Sequence, residues 1–234
     1  MARLFVPRAS IREGAVEIAG EELRHLRTLR LGAGDLLVVF DDTGIEHTVR
    51  LERVDRRAAR GVIERSEAVS RESPLAVTLL PALLKGPRMD VVIEKATELG
   101  VIRIAPVLTA RCVAERGHVA RWRRIALAAA KQCGRTRTPA IDEPVPLAVR
   151  LDSFGNGLRL IAWEEATAPG WDRLPAVATA VTVLLGPEGG FTLDEVVQAR
   201  AAGFHAVSLG GRVLRGDTAA IVAVALCQHR WGDG

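Results

Sequence analysis

The feature that most constrains the fold is an alternation, after residue 74, of short apolar runs with segments of helical periodicity. The apolar runs are continuous, which is typical of strands buried on both faces of a parallel sheet. The predicted strands are 75–80, 103–108, 158–162, 181–185 and 206–209. The predicted helices are 89–99, 121–132, 193–202 and 218–228. This order of elements predicts an α/β domain whose sheet is covered by helices on both faces.

The first 70 residues follow a different pattern. Their predicted elements are strands at 4–6, 36–40, 46–54 and 58–63, with one helix at 21–29. The tripeptide Asp42-Thr43-Gly44 predicts a hairpin turn between two of these strands. The polar segment 70–74, which ends in proline, separates the two patterns. We therefore predict a small β-barrel domain at 1–72 and an α/β domain at 73–234.

Composition excludes several classes of protein. The chain is 48% apolar and 26% charged, as globular proteins are. No apolar stretch approaches the ~18 residues of a membrane span, and no secretory signal is evident. The cysteines Cys112, Cys133 and Cys227 are odd in number and form no C-x-x-C pair, so neither a disulfide framework nor a zinc site is indicated. We expect a cytoplasmic protein with no membrane partner and no metal.

Positive charge is concentrated in the middle of the chain. The net charge is 0 for residues 1–70, +7 for 71–150 and −3 for 151–234, and 29 of the 32 basic residues are arginine. Nucleotide bias in the genome would explain many arginines but not their concentration. Such a block predicts a footprint for a polyanion, and the alternative is a solvated helix face. Its members are Arg103, Arg111, Arg116, Arg121, Arg123, Arg124, Lys131, Arg135 and Arg137.

Two glycine-containing loops follow predicted strands, where ligands bind in sheets of this kind. Loop 184–192 ends on Thr192, which can cap the helix that begins at Leu193. It lacks the Lys-Ser/Thr of a phosphate-binding P-loop, and the chain contains no G-x-G-x-x-G dinucleotide motif. Loop 209–218 places two arginines and Asp217 beside glycines. We expect both loops to line one pocket, although capping by Asp217 or Thr218 with both arginines solvated would also explain the second loop.

These loops carry a family resemblance. The motifs LGPEGGF at 185–191 and LGxRxLRxxTA at 209–219 resemble the RsmE family of small-subunit ribosomal RNA uridine N3-methyltransferases. Upstream segments are similar to the same family and occur in the same order over nearly the whole chain: RLFV at 3–6, KGxRMD at 85–90, EKATELG at 94–100, RC at 111–112 and QCGR at 132–135.

The resemblance implies a SPOUT fold, a parallel sheet whose C-terminal segment forms a trefoil knot, preceded by a PUA-like β-barrel. It also implies a homodimer that uses S-adenosylmethionine as cofactor, held largely by backbone groups of the two loops. Carried over by motif position, the cofactor-binding residues would be Leu185, Gly186, Glu188, Gly190, Leu209, Gly210 and Leu214.

The implied substrate is a specific uridine in 16S ribosomal RNA of the small ribosomal subunit. N3 of uracil must lose a proton before or during methyl transfer, which calls for a base or for cations that stabilise the uracil anion. The candidate catalytic residues are Arg215, Asp217 and Glu188, with Arg212 as a second cation, and the base is not identified among Asp217, Glu188 and Glu98. The candidate RNA-binding residues are Arg3, Lys85, Arg88, Lys95, Glu98, Arg111, Gln132, Arg135 and Arg212.

The chain departs from the family at two places. Gly216-Asp217 stands where the family usually has Thr-Glu, and the stretch 112–122 is shorter than in relatives. Two other functions remain open from the sequence. One is a SPOUT enzyme that methylates a ribose 2′-oxygen or a different base. The other is a non-catalytic RNA-binding or ribosome-assembly factor that has no need of the cofactor.

Overall fold

A computed structural model of the 234-residue chain describes residues 1–113, 117–151, 157–166 and 170–234. Contacts between these residues divide them into two compact units. The first unit comprises Met1–Glu72 together with Ala130–Thr138, and the second comprises Ser73–Ala129 and Pro139–Gly234. A boundary drawn on the linear sequence after residue 72 assigns 130–138 to the α/β part, whereas these residues pack with the first unit.

The first unit is built around a mixed sheet with the strand order β1-β4-β5-β6-β3-β2. Strand β1 runs parallel to β4, and the remaining neighbours are antiparallel. Its core contains Leu4, Ile18, Leu37 and Leu51, all fully buried. The elements are β1 (Arg3–Phe5), a 3-10 helix (Arg8–Ser10), β2 (Ile11–Arg12), β3 (Ala15–Ala19), α1 (Gly20–Thr28), β4 (Leu36–Phe40), β5 (Ile45–Val54) and β6 (Ala58–Ala68).

The predicted strands and helix of this region are confirmed within a few residues at their ends, and β4 and β5 do form a hairpin. The left-handed backbone of Asp42 and Gly44, with φ of 69° and 93°, supports the predicted turn. Strands β2 and β3 were not predicted. Only Val16 and Ile18 are buried in β3, and its alanines and glutamate have low strand propensity, so the alternation is too short to stand out.

The second unit contains the alternating strands and helices. Its elements are β7 (Ala76–Pro81), α2 (Arg88–Glu98), β8 (Arg103–Ile104), β9 (Val107–Leu108), α3 (Val119–Cys133, whose last turn belongs to the first unit), β10 (Ala140–Ile141), β11 (Val145–Pro146), α4 (Leu147–Leu151), β12 (Leu158–Ala162), a 3-10 helix (Trp171–Arg173), β13 (Ala180–Leu185), α5 (Leu193–Ala201), β14 (His205–Val207) and α6 (Gly216–Trp231).

Its main sheet is parallel throughout, in the order β10-β8-β7-β13-β12-β14, and β9 pairs separately with β11. Consecutive residues of β13 point to opposite faces. Val183 packs with residues of α2 and α6 on one face, and Leu184 packs with residues of α4 and α5 on the other. The predicted parallel sheet with helices on both faces is therefore confirmed.

One predicted strand is wrong in its extent. Residues 103–108 form two short strands, β8 and β9, instead of one. Pro106 lies between them, and because proline has no backbone N–H it cannot donate to a strand ladder. The hydrophobic pattern does not reveal this break, because Pro106 lies within a continuous apolar run, and all of Ile104–Val107 is buried.

The order of the central strands places the candidate loops. In a parallel sheet all carboxyl ends lie at one edge, and β12 lies between β13 and β14. The loops that follow β13 and β14 therefore meet above the end of β12. Within the part of the chain that the structure describes, no helix is both long and apolar enough to cross a bilayer.

Candidate active site

A cavity of about 330 Å³ opens at this edge of the sheet. It lies within the size range of about 300–1,000 Å³ that is usual for small-molecule sites. Segments after β12, β13 and β14 form its wall together with the first residues of α2 and α6. The lining residues are Arg88, Ala162, Trp163, Glu164, Leu185, Gly186, Pro187, Glu188, Gly190, Ser208, Leu209, Gly210, Arg212, Val213, Leu214, Arg215, Gly216 and Ala219.

The loop after β13 is fixed by a helix cap. Thr192 accepts a hydrogen bond from the backbone N–H of Glu195, and the Glu195 carboxylate accepts one from the Thr192 N–H at 2.8 Å. This is the predicted cap of α5, here as a complete capping box. The buried Glu195 carboxylate also accepts a hydrogen bond from the backbone N–H of Ala110 at 2.7 Å. A second segment of the unit therefore holds the loop in place.

Glu188 forms a charged corner of the cavity. Its carboxylate accepts hydrogen bonds from the Arg88 guanidinium at 2.7 Å and from the backbone N–H of Lys85 at 3.2 Å. Burial alone would raise the pKa of Glu188, but hydrogen bonds from its own backbone N–H, from Lys85 and from Arg88 outweigh burial and hold the pKa below the ordinary 4.5. Glu188 is therefore an ionised partner of Arg88 and a weak proton acceptor at neutral pH.

The loop after β14 presents two exposed arginines to the cavity. Gly210 has a φ of 119°, a conformation that favours glycine. Arg212 and Arg215 both line the cavity, and no ion pair engages either guanidinium among the residues that the structure describes. Arg215 occupies the N-cap position of α6 without a side-chain cap. Neither Asp217 nor Thr218 therefore occupies the N-cap, although both arginines are exposed, as that alternative expected.

Asp217 lies in the first turn of α6, one residue beyond the cavity-lining Gly216, and is not itself among the lining residues. Its carboxylate accepts a hydrogen bond from the neighbouring Thr218 N–H at 3.0 Å. A carboxylate is electrostatically favoured at this end of a helix.

All of the predicted cofactor residues line the cavity, together with Arg88, Arg212 and Arg215. The predicted RNA-binding residues Lys85, Lys95, Glu98 and Arg111 are outside its lining. Arg111 nevertheless contacts the first loop, because its guanidinium donates to the Gly189 carbonyl at 2.8 Å.

Lys95 and Glu98 form an ion pair on the surface of α2. The Lys95 ammonium donates to Glu94 at 2.7 Å and to Glu98 at 2.9 Å. These hydrogen bonds, that of Glu94 first, raise the pKa of Lys95 to about 12. Lys95 is seven residues after Arg88, which places it about 10 Å further along the helix axis.

Arg3 and Arg135 belong to a network inside the first unit. Arg135 is buried and forms an ion pair with Glu72, with 3.1 Å between its Nε and a carboxylate oxygen. Arg3 forms an ion pair with Glu46 and donates to the Arg135 carbonyl at 2.8 Å. To bind a phosphate, either guanidinium would have to give up these contacts. Gln132 is exposed near the end of α3.

Most of the basic block is engaged in contacts of this kind. Arg103 pairs with Asp142, Arg121 with Asp90 and Lys131 with Glu22. Arg123 and Arg137 donate to backbone carbonyls, and Arg124 is exposed on α3. Arg116 lies outside the described residues, as do residues 114 and 115 of the shortened stretch 112–122. Trp122 is 3% exposed and packs in the core.

The sequence prediction missed one wall of the cavity. Ala162, Trp163 and Glu164 come from the end of β12. No motif marks them, but the predicted strand at 158–162 ends there, and a neighbouring parallel strand must end at the same edge. No group of three or more His, Cys, Asp or Glu side chains suited to a metal ion occurs among the described residues.

Comparison with known proteins decides the family. A family model described as "RNA methyltransferase domain" matches residues 71–228, and one described as "RNA methyltransferase PUA domain" matches residues 18–64. Ribosomal RNA small subunit methyltransferase E of Mycobacterium bovis is 35% identical over 93% of this chain and 89% of its own length. The chain belongs to the ribosomal RNA small subunit methyltransferase E family.

Solved structures agree with this family. The Neisseria gonorrhoeae member, bound to S-adenosyl methionine, is 34% identical with a TM-score of 0.93 and covers 100% of this chain and 99% of its own. A Legionella pneumophila methyltransferase in complex with the same cofactor is also 34% identical, with a TM-score of 0.92 over 99% and 98% of the two chains. The fold around the cavity is therefore that of RNA methyltransferases.

Proposed function

We propose that this chain transfers a methyl group from S-adenosylmethionine to N3 of a specific uridine in 16S ribosomal RNA. The observation that carries the proposal is the convergence of the loops after β13 and β14 on one cavity lined by every cofactor residue that the family motifs nominate. The cofactor supplies an electrophilic methyl group on a positively charged sulfur. All other steps depend on how the protein binds and aligns the cofactor and the RNA and keeps water out of the cavity.

The cavity suits such a cofactor in shape and chemistry. A Cβ added at Gly210 would meet no other atom within 4 Å, so open space lies directly against the backbone. Leu185, Leu209 and Leu214 give apolar surface for an adenine ring, and carboxylates and guanidiniums provide counter-charges for the ammonium, sulfonium and carboxylate of the methionyl end. Backbone groups of the glycine loops can approach closely because no side chain intervenes.

The two arginines of the second loop would activate uracil. Loss of the N3 proton puts negative charge on the uracil oxygens, and guanidinium donors aimed at those oxygens stabilise this charge. Arg212 and Arg215 suit this task because no other described residue engages them in an ion pair. Arg215 is the better candidate, since it occupies the N-cap position of α6 and its backbone is fixed by the helix.

Glu188 and Asp217 have different roles in this proposal. Glu188 orients Arg88 at the cavity corner and fixes the loop after β13. Asp217 is the nearest carboxylate to Arg215 in sequence, and its predicted catalytic role would consist of setting the position or charge of the second loop from the first turn of α6. The proton of N3 then leaves to solvent or to a group on the RNA.

The RNA must present an unpaired or extruded uridine, because N3 is occupied in a Watson-Crick pair. Exposed basic side chains on α3 and beside the first loop would hold its phosphates and set its register. The described residues that best suit this role are Lys85, Arg111 and Arg124, which form no ion pair with another described residue, whereas Arg121 and Arg123 would first give up their contacts with Asp90 and the Ile141 carbonyl.

The remaining family properties are part of the same proposal: a trefoil knot, a PUA-like barrel, a homodimer and a cytoplasmic location. The strand order supports the knot. Strand β14 lies on the far side of β12 from β13, yet α6, which follows β14, packs on β13 and β7. A C-terminal segment that crosses back over the central strands in this way is what a knotted chain requires.

Nucleoside analysis tests the reaction. Small subunits from cells that lack the protein are incubated with the enzyme and S-adenosylmethionine, and the 16S RNA is digested and analysed by mass spectrometry. We expect 3-methyluridine at one position. A ribose 2′-O-methyl product or another methylated base would replace the proposal with the related SPOUT activity, and binding of RNA without any product would indicate an assembly factor.

A further inference from the structure

A carboxylate that the family motifs do not include lies in the cavity. Glu164 follows β12 and lines the cavity beside both loops. It is exposed, and the structure gives its side chain no hydrogen-bond or ion-pair partner among the described residues. The adjacent Glu165 lines a different depression, together with Arg173, Arg200 and His205.

The backbone of the first loop leaves room for this carboxylate. Gly190 has a φ of 68°, and a Cβ added there would overlap Oε1 of Glu164 and lie 3.4 Å from its Cδ. The glycine at position 190 thus permits both the left-handed turn and the approach of the Glu164 carboxylate to the loop. Two segments that are distant in sequence are fitted to each other at this point.

The charged residues of the cavity wall differ in whether they are already paired. Of the two lining carboxylates, Glu188 is paired with Arg88. Glu164 is therefore the lining carboxylate that is available for a cationic ligand group. A hydrogen bond from a cationic donor to a carboxylate is stronger than one from a neutral donor, so it contributes more binding free energy.

We propose that Glu164 binds the positively charged methionyl end of the cofactor and so determines the preference of this cavity for charged adenosyl ligands over neutral ones. The inference rests on the proposed function, because it takes S-adenosylmethionine as the ligand. It assigns Glu164 a binding role and leaves the chemistry at uracil to the arginines. The Glu164 carboxylate would meet the ammonium or the sulfonium, both of which carry positive charge.

Titration calorimetry on the full chain tests this inference with Glu164→Gln, which keeps the size of the side chain and removes its charge. The control is Glu165→Gln, the same change one residue away and outside the cavity lining. Each protein is titrated with S-adenosylmethionine, with S-adenosylhomocysteine and with 5′-methylthioadenosine. The last shares the adenosine and the sulfur but carries no positive charge.

We expect Glu164→Gln to weaken S-adenosylmethionine binding about tenfold, as for one charge-assisted hydrogen bond at an exposed site, and to leave methylthioadenosine binding unchanged. If S-adenosylhomocysteine binding is weakened equally, the contact is to the ammonium. If only S-adenosylmethionine binding is weakened, the contact is to the sulfonium. Glu165→Gln should match the parent protein.

Unchanged S-adenosylmethionine affinity in Glu164→Gln, or an equal loss for methylthioadenosine, would overturn the inference. Failure of the proposed function looks different, because then the parent protein itself would not bind S-adenosylmethionine. Glu164→Asp provides a second check. It keeps the charge on a shorter side chain and should recover part of the affinity.

Discussion

Arginines in two regions of the molecule were expected to contact the RNA, some at its backbone and Arg215 at the reacting uracil, and the structure gives them different surroundings. Arg3 and Arg135 of the first unit are engaged in ion pairs with Glu46 and Glu72, and Arg135 is only 3% exposed. Arg212 and Arg215 line the cavity of the second unit, are exposed, and have no ion-pair partner among the described residues.

This difference shows what a motif can and cannot say about arginine. A guanidinium that is already paired and buried stabilises the fold, because removing it leaves an uncompensated buried charge. A guanidinium held on a glycine loop without a partner is available for a ligand. Both kinds occur within motifs that resemble the same family, so sequence position alone does not separate them.

The largest effect is expected for Arg215→Ala. Loss of a donor that stabilises developing charge should slow single-turnover methyl transfer about 100- to 1,000-fold. Cofactor affinity by calorimetry and the free energy of unfolding should change little, since an exposed side chain without an ion pair is removed. A single-turnover rate equal to that of the parent would exclude Arg215 from the mechanism.

Arg135→Ala should show the opposite behaviour. It removes the partner of Glu72 from a buried site, which should lower the free energy of unfolding by about 3 kcal/mol in urea denaturation. The matched control is Arg124→Ala, which removes an exposed arginine and should alter stability by less than about 0.5 kcal/mol. Equal stabilities of the two variants would place Arg135 with the ligand-binding arginines.

A pH series tests the first-unit network from the acidic side. Burial would raise the pKa of Glu46, but hydrogen bonds from Arg3 and Arg71 outweigh it and hold the pKa below 4.5. A lowered pKa means that the ionised carboxylate stabilises the fold at neutral pH and that this contribution is lost as pH falls through the folded pKa.

Glu46→Gln should therefore cost about 2 kcal/mol of unfolding free energy at pH 7. The difference from the parent should shrink as the pH is lowered below 4.5. A difference that stays constant between neutral and acidic pH would show that the Glu46 ion pairs do not contribute.

The smallest effect is expected for Arg124→Ala on RNA binding. If this exposed arginine contacts a phosphate, the slope of log affinity against log salt should fall by about one unit while sequence preference is retained. An unchanged slope, measured by filter binding at several salt concentrations, would remove Arg124 from the RNA footprint.

Much of the fold was predictable because its signals are local or periodic. The continuous apolar runs at 158–162 and 181–185 predicted central strands that the structure confirms. Thr192 before a helical segment predicted a cap that is present. The break at Pro106 and the short strands β10 and β11 were missed, because pairs of residues carry too little pattern to be distinguished from loop.

The sequence predicted only part of the site, and the reason is physical. The two loops carry glycines and arginines in motifs, so the residues they contribute to the cavity could be nominated. Glu164 joins them through the order of strands across the sheet, which local sequence does not encode. The ion pairs of Arg3 and Arg135 likewise depend on contacts between residues distant in sequence.

The decisive experiment on the proposed site is a crystal structure of the chain with S-adenosylmethionine. We expect one cofactor per chain, bound between the loops after β13 and β14, with its transferable methyl group facing Arg215 and its charged end at Glu164. Cofactor bound elsewhere, or a cavity that keeps its loops while the methyl group points away from both arginines, would contradict it.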